Sequence, residues 1–184
     1  MFIQTEATPN PATLKFLPGR TVLGQGTFEA RNREEAAGSP LAQALFEVPG
    51  ITGVFFGSDF VTVTKDVADW AHLKPAILGA IMEHFVSGKP LLAGEASEVE
   101  EDTFFESKDA GIVDTIRELI DTRVRPAVAN DGGDITFRGY RDGVVFLAMK
   151  GSCSGCPSST ATLKNGIENL LRHFVPDVVE VRPV

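Results

Sequence analysis

Ile112, Ile116, Leu119, Ile120 and Val124 recur at three- and four-residue intervals and predict one apolar face of a helix. Pro126 kinks or splits that helix, and Asn130-Asp131-Gly132-Gly133 stops it, because glycine tolerates the left-handed backbone of a helix C-terminus. The period then shortens. Ile135–Tyr140 and Val144–Met149 read as strands joined through Arg141-Asp142-Gly143, a tight hairpin signal. After the loop Gly151-Ser-Cys-Ser-Gly-Cys-Pro-Ser-Ser159 the helical period returns at Leu163, Ile167, Leu170, Leu171 and Phe174, and Val178–Val181 closes the chain as a strand. The order is αββαβ over about 74 residues, near the lower size at which a core suffices alone.

The first half follows a different plan. Phe2–Thr5 and Thr13–Leu17 are strand candidates either side of the turn-rich Thr8-Pro9-Asn10-Pro11. Ser39-Pro40 reads as a cap and first-turn proline opening a helix through Phe46, which Val48-Pro49-Gly50 ends. Ile51–Phe56 and Phe60–Thr64 are β-branched and aromatic runs linked by Gly57-Ser58-Asp59. Ile77, Leu78, Ile81 and Phe85 put a helix over Leu73 to Val86, with Pro75 in its first turn or kinking it. The predicted order is ββαββα, one sheet with helices on one face. The fold class is therefore α+β, two small α/β domains.

Between them, residues 89–108 carry Gly, Pro and clustered acids without a sustained period, which reads as an acidic linker. The predicted domains are 1–88 and 109–184. Phe104 and Phe105 either dock on a domain surface or begin the packing of the second domain. The charge of −8 is uneven. Seven basic against nine acidic residues leave 1–93 at −2, one against seven leave 94–110 at −6, and 111–184 balance at nine each. No basic stripe is present to neutralise phosphates, which argues against nucleic acid. Composition is that of a soluble globular protein, with 43% hydrophobic and 23% charged residues, and no apolar run approaches the roughly 18 residues of a membrane span. The start, MFIQTEATPN, has neither a signal peptide's basic and apolar regions nor the Arg-rich look of a transit peptide. The expected compartment is the bacterial cytoplasm, or the mitochondrial matrix for a mature organelle form.

Cys153 and Cys156 are the two cysteines of the chain. A secreted disulfide scaffold would carry more, so the pair reads as metal ligands or a redox dithiol. They fall between a strand end and a helix start, where Pro157 suits the first turn and Ser158 or Ser159 can cap it. Unpaired N–H groups there, with the helix dipole behind them, favour thiolate over thiol and lower the pKa from about 8.5. Gly151 and Gly155 let the loop fold tightly and bring backbone N–H groups toward sulfur. An iron–sulfur cluster normally takes four thiolates, and this chain has two, so the count points to a homodimer sharing Cys153 and Cys156 across a two-fold axis. A shallow shared site suits a carrier that releases its cluster rather than an enzyme or electron-transfer protein. Two other readings stay open. A thioredoxin-like dithiol is disfavoured by the missing β-α-β run and by proline following the second cysteine. Zinc held by four cysteines of a dimer has the same spacing as a cluster.

Arg125-Pro126-Ala-Val-Ala-Asn-Asp131-Gly-Gly-Asp134-Ile135, followed by GSCSGCPSSTATLKNGIENLL, strongly resembles the C-terminal domain of the NifU/Nfu family. MFIQTEATPNPATLKFLPGRTVL resembles the N-terminal domain of Nfu-type scaffold proteins. The resemblance covers both domains and leaves the linker unmatched. It implies a C-terminal NifU-like fold and a non-enzymatic scaffold that assembles or transfers iron–sulfur clusters. The cluster implied is [4Fe-4S], with [2Fe-2S] the alternative, bridged between subunits by Cys153 and Cys156. It further implies acceptors such as lipoyl synthase and aconitase-like enzymes, and upstream cluster-assembly proteins. Asp131 and Asp134 read first as a helix stop and turn, and second as carboxylates near incoming iron. His72, His84 and His173 lack paired ligand spacing and read as surface or boundary residues, while Trp70 and the phenylalanines read as core.

Overall fold

The computed structural model describes residues 2–24, 26–93, 103–152 and 157–184, with side chains of the last stretch described from 160 onward. The chain divides into two compact units, Met1–Ser97 and Glu98–Val184.

In the first unit, β1 (Gln4–Ala7), β2 (Thr13–Leu17), β3 (Phe28–Ala30), β4 (Ile51–Phe56) and β5 (Val61–Lys65) form one antiparallel sheet in the order β1-β2-β5-β4-β3. Helix α1 (Pro40–Phe46) lies between β3 and β4, and α2 (Trp70–Ser87) follows β5. Alternation places Phe16, Val54, Phe56, Val61 and Val63 in one core with Leu41, Leu45, Leu73, Ile77 and Ile81 from the helices. The sequence order ββαββα thus gains a strand, β3. It is three residues long and carries no β-branched run, so periodicity does not reveal it. Its place is set by Phe28, which pairs with Phe56 across the ladder and stacks on it at 5.5 Å. β1 starts at Gln4 rather than Phe2 because Gln4 pairs with Leu17 and Pro18 ends β2 there, leaving Phe2 84% exposed. Ser39 caps α1 as predicted, its Oγ accepting from the Ala42 N–H at 3.2 Å. α2 begins three residues before the predicted start, capped by Asp69, so Pro75 falls in its second turn.

In the second unit, α3 (Ala110–Leu119) and α4 (Arg125–Asn130) are joined by a wide π turn over Ile120–Val124. Pro126 has no N–H for the Thr122 carbonyl, and its ring crowds that turn, so the backbone widens instead of breaking. β6 (Gly133–Arg141) and β7 (Val144–Gly151) form a hairpin, and α5 (Pro157–Phe174) carries the chain to β8 (Glu180–Pro183), which pairs parallel to β7. Asp142 (φ 50°) and Gly143 (φ 80°) give the hairpin two left-handed turn residues, the geometry whose twist matches the strands. Ile116, Ile120, Ile135, Leu147, Ile167, Leu171 and Val181 share one core. Among the described residues, no helix is long and apolar enough to cross a membrane.

Candidate metal centre

Cys153 and Cys156 lie outside the described residues, with Ser154 and Gly155 between them. What the structure describes is how the chain on either side is held. β7 ends at Gly151 with φ 69°, and the next residue, Ser152, is 1% exposed. The Ser152 N–H donates to the Gly132 carbonyl at 3.3 Å, and its hydroxyl donates to the Asp131 carbonyl. Those carbonyls belong to the turn that ends α4, where the Asp131 N–H reaches Val128 O at 3.1 Å and the Gly132 N–H reaches Ala129 O at 3.0 Å. Gly132 adopts φ 82°, which explains glycine at this position. The Asn-Asp-Gly-Gly segment is therefore a helix stop, as first read, and it also anchors the residue that precedes Cys153.

Asp134 fastens the same turn from the other side. It is the second residue of β6, in register with Lys150, and is 5% exposed. Arg125 at the start of α4 meets it with two parallel bonds, Nε to Oδ1 at 2.9 Å and Nη2 to Oδ2 at 3.0 Å, and reaches Asp121 with Nη1 at 3.3 Å. The Asp134 hydrogen bonds raise the Arg125 pKa above its ordinary value, against burial, so the guanidinium keeps its charge. Both Asp134 oxygens are engaged by Arg125, so the side chain serves to fasten the turn. Neither the role of Arg125 nor that of Ser152 follows from periodicity or motif spacing. The signal for the first is an arginine and an aspartate, Arg125 and Asp134, either side of the helix stop.

Downstream, α5 starts at Pro157 and is fixed by Ile167 and Leu171 in the core and by Glu168, whose carboxylate accepts from the Val181 N–H at 3.3 Å. The first N–H groups of an α-helix lack intrahelical acceptors and favour negative charge nearby. The expected caps, Ser158 and Ser159, fall among the side chains not described.

The histidines do not join this site. His72 and His173 are exposed, as expected. His84 is not: it is 8% exposed and lines a cavity of about 640 Å³ between α1 and α2, walled by Ala44, Ala76, Gly79 and Ala80. Burial, and then the nearby Lys89 charge, push its pKa below the usual histidine value. Among the described residues, no group of three or more His, Cys, Asp or Glu is arranged to hold a metal ion.

Residues 3–88 match the family model described as scaffold protein Nfu/NifU N terminal, and residues 116–182 match the NifU-like domain. The chain belongs to the Nfu/NifU family. Among Nfu/NifU relatives, the NFU1 iron-sulfur cluster scaffold homolog, mitochondrial, of Drosophila erecta is 52% identical over 186 residues, covering all of this chain and 65% of the relative. NifU-like protein 4, mitochondrial, of Arabidopsis thaliana is 49% identical over 181 residues, covering 97% of this chain and 64% of the relative. The chain thus spans about 65% of the length of the curated relatives it matches. A NifU-like protein from Saccharomyces cerevisiae with a solution structure is 31% identical, with a TM-score of 0.47 over 52% of this chain and 87% of that one.

Proposed function

We propose that this chain is a non-enzymatic iron–sulfur cluster scaffold that holds a [4Fe-4S] cluster between two copies of itself and passes it to acceptor proteins. The observation that carries the reading is the placing of the chain's two cysteines, Cys153 and Cys156, in four residues of a NifU-like domain between an anchored strand end and a helix start. Each copy supplies two thiolates, which is half of what the cluster takes. The names of the mitochondrial relatives, which call them cluster scaffolds, support the function and the mitochondrial option of the two compartments expected. Domain roles divide at 1–88, 89–108 and 109–184, with the cysteine-free first domain serving recognition. Acceptors are apo iron–sulfur enzymes of the lipoyl synthase and aconitase-like kind, and the donors are upstream assembly proteins. Cluster release is ligand exchange, an acceptor's thiolates replacing those of Cys153 and Cys156 at one edge of a shared site.

The test is anaerobic reconstitution with iron and sulfide analysis and a mass measurement on the same sample. The expected result is about two iron and two sulfide per chain in a dimer for [4Fe-4S], or about one of each for [2Fe-2S]. Cys153→Ala should lose the iron and the metal-dependent dimer together. A monomer that keeps the full iron content, or a colourless zinc dimer, would refute the proposal.

A further inference from the structure

The end of the acidic linker does not hang free in the second unit. The Phe104 N–H donates to the Arg138 carbonyl at 3.1 Å and the Phe104 carbonyl accepts from the Tyr140 N–H at 2.9 Å, a parallel bridge to Gly139 on the outer edge of β6. The Phe104 ring lies on Gly139 itself, since a Cβ there would fall 2.4 Å from it. Gly139 is paired across the hairpin with Phe146, whose ring centroid is 5.1 Å from that of Phe104. An aromatic ring thus fills the gap that a strand glycine leaves beside another aromatic. Two arginines complete the slot. Arg141 stands 5.6 Å from the Phe104 ring, and Arg117 stands 5.6 Å from the Phe105 ring while donating to the Thr103 hydroxyl at 2.9 Å.

Among the described residues, backbone pairing in this slot is limited to one bridging residue and two bonds, and its occupant is only partly covered: Phe104 is 40% exposed and Phe105 39%. A strand edge closed so lightly is a site for strand addition. We infer that Thr103–Phe105 is an exchangeable strap, and that the β6 edge takes in its place an extended segment of a partner protein bearing two aromatic residues flanked by acids. The occupant's chemistry is read from the resident Thr103–Phe105, from Asp102 and Glu106 that flank it in the sequence, and from the arginines that face the two rings. Glycine at 139 makes the slot specific, because any side chain there would evict the ring.

The experiment uses the full chain and a labelled peptide of residues 100–107. In Phe104→Ala the Tyr140 amide should exchange with deuterium at least tenfold faster than in the parent, while other amides of the β6–β7 ladder keep their protection. The peptide should bind Phe104→Ala at least tenfold more tightly than the parent and restore Tyr140 protection. Replacing both phenylalanines of the peptide by alanine, or adding Gly139→Val to the protein, should abolish binding. Phe104→Leu, which keeps most of the apolar cover, gives the same comparison if the alanine chain unfolds. Unchanged Tyr140 exchange, or no peptide binding to a folded Phe104→Ala chain, would overturn the inference. So would a metal-free dimer of the parent that forms with rising concentration and is lost in Phe104→Ala, because the occupant would then be a second copy of the chain.

Discussion

Replacing Arg125 by Met should cost more than replacing Asp134 by Ala, although the two residues share one ion pair. The Asp134 side chain is 7% exposed and the Arg125 side chain 39%. Removing the arginine strands a buried carboxylate, a defect of about 3–5 kcal/mol for a fully buried pair, which solvent at the arginine end reduces to about 2–3 kcal/mol here. Removing the aspartate leaves a guanidinium that can still reach water and that keeps Asp121 at 3.3 Å, so about 1–1.5 kcal/mol is expected. With both replaced, neither charge is stranded, and the double variant should lose only about 1.5–2 kcal/mol, giving a coupling near 2 kcal/mol. The chain offers a clean readout, because its one tyrosine, Tyr140, lies in the second unit and its one tryptophan, Trp70, in the first. Urea unfolding followed through the Tyr140 ring signals by NMR should show the losses, and Trp70 fluorescence should not move. The Ser152 amide should also exchange faster in Arg125→Met, since its acceptors sit on the turn that the pair fastens. Single effects that simply add to within about 0.5 kcal/mol, or an aspartate variant weaker than the arginine one, would refute the reasoning.

Ser39 is fully buried, caps α1 and donates to the Leu91 carbonyl at 2.6 Å, so Ser39→Ala should destabilise the first unit by about 1–2 kcal/mol, read by Trp70 and not by Tyr140. His84 carries a pKa below 6.5 in the folded chain. Above 6.5 both folded and unfolded forms are neutral and its contribution is fully present; as pH falls below 6.5 the unfolded chain takes a proton that the folded one resists, and stability is lost until the folded pKa is passed. Melting of the first unit followed by Trp70 should therefore weaken between neutral and mildly acidic pH, less so in His84→Phe. Equal pH dependence in both chains would count against the buried imidazole.

The helices are legible where caps and periodicity agree: Ser39-Pro40 opens α1 from an extended cap, and Gly132, left-handed, follows the end of α4. His84 departs from the surface position expected because the buried stripe of α2 runs through Leu73, Ile77, Ile81 and His84, turned from the Ile77-Leu78-Ile81-Phe85 stripe that hydrophobicity alone selects. A polar residue on the core face carries no apolar signal. The phenylalanines were overcounted as core for the opposite reason. Phe2, Phe104, Phe105 and Phe174 are each at least 39% exposed, and Arg123 covers the Phe174 ring at 5.0 Å instead of a core residue. Trp70 is only half-buried, its indole N–H donating to the Pro11 carbonyl at 3.3 Å. The docking of Phe104 was one of two options, and Gly139 decides it. Gly139 sits at a register shift of the β6–β7 ladder, and the Phe104 ring fills the space beside it.

The supports of the cysteine segment show why the missing ligands have to come from elsewhere on the proposed reading. An acid near the cysteine segment invites a mixed sulfur and oxygen site, and Asp134 is the carboxylate whose register, opposite Lys150, brings it within two residues of Ser152. Yet its oxygens are bound at 2.9 and 3.0 Å by a guanidinium that its own hydrogen bonds keep charged. Recruiting that carboxylate to iron would strand Arg125 and release the turn that holds Ser152, undoing the anchor in order to add a ligand. On the proposed reading the acid serves position and coordination falls to sulfur. Two sulfurs per chain would then call for a second chain, and under the proposed function a site completed only by association is one that an acceptor's thiolates can open.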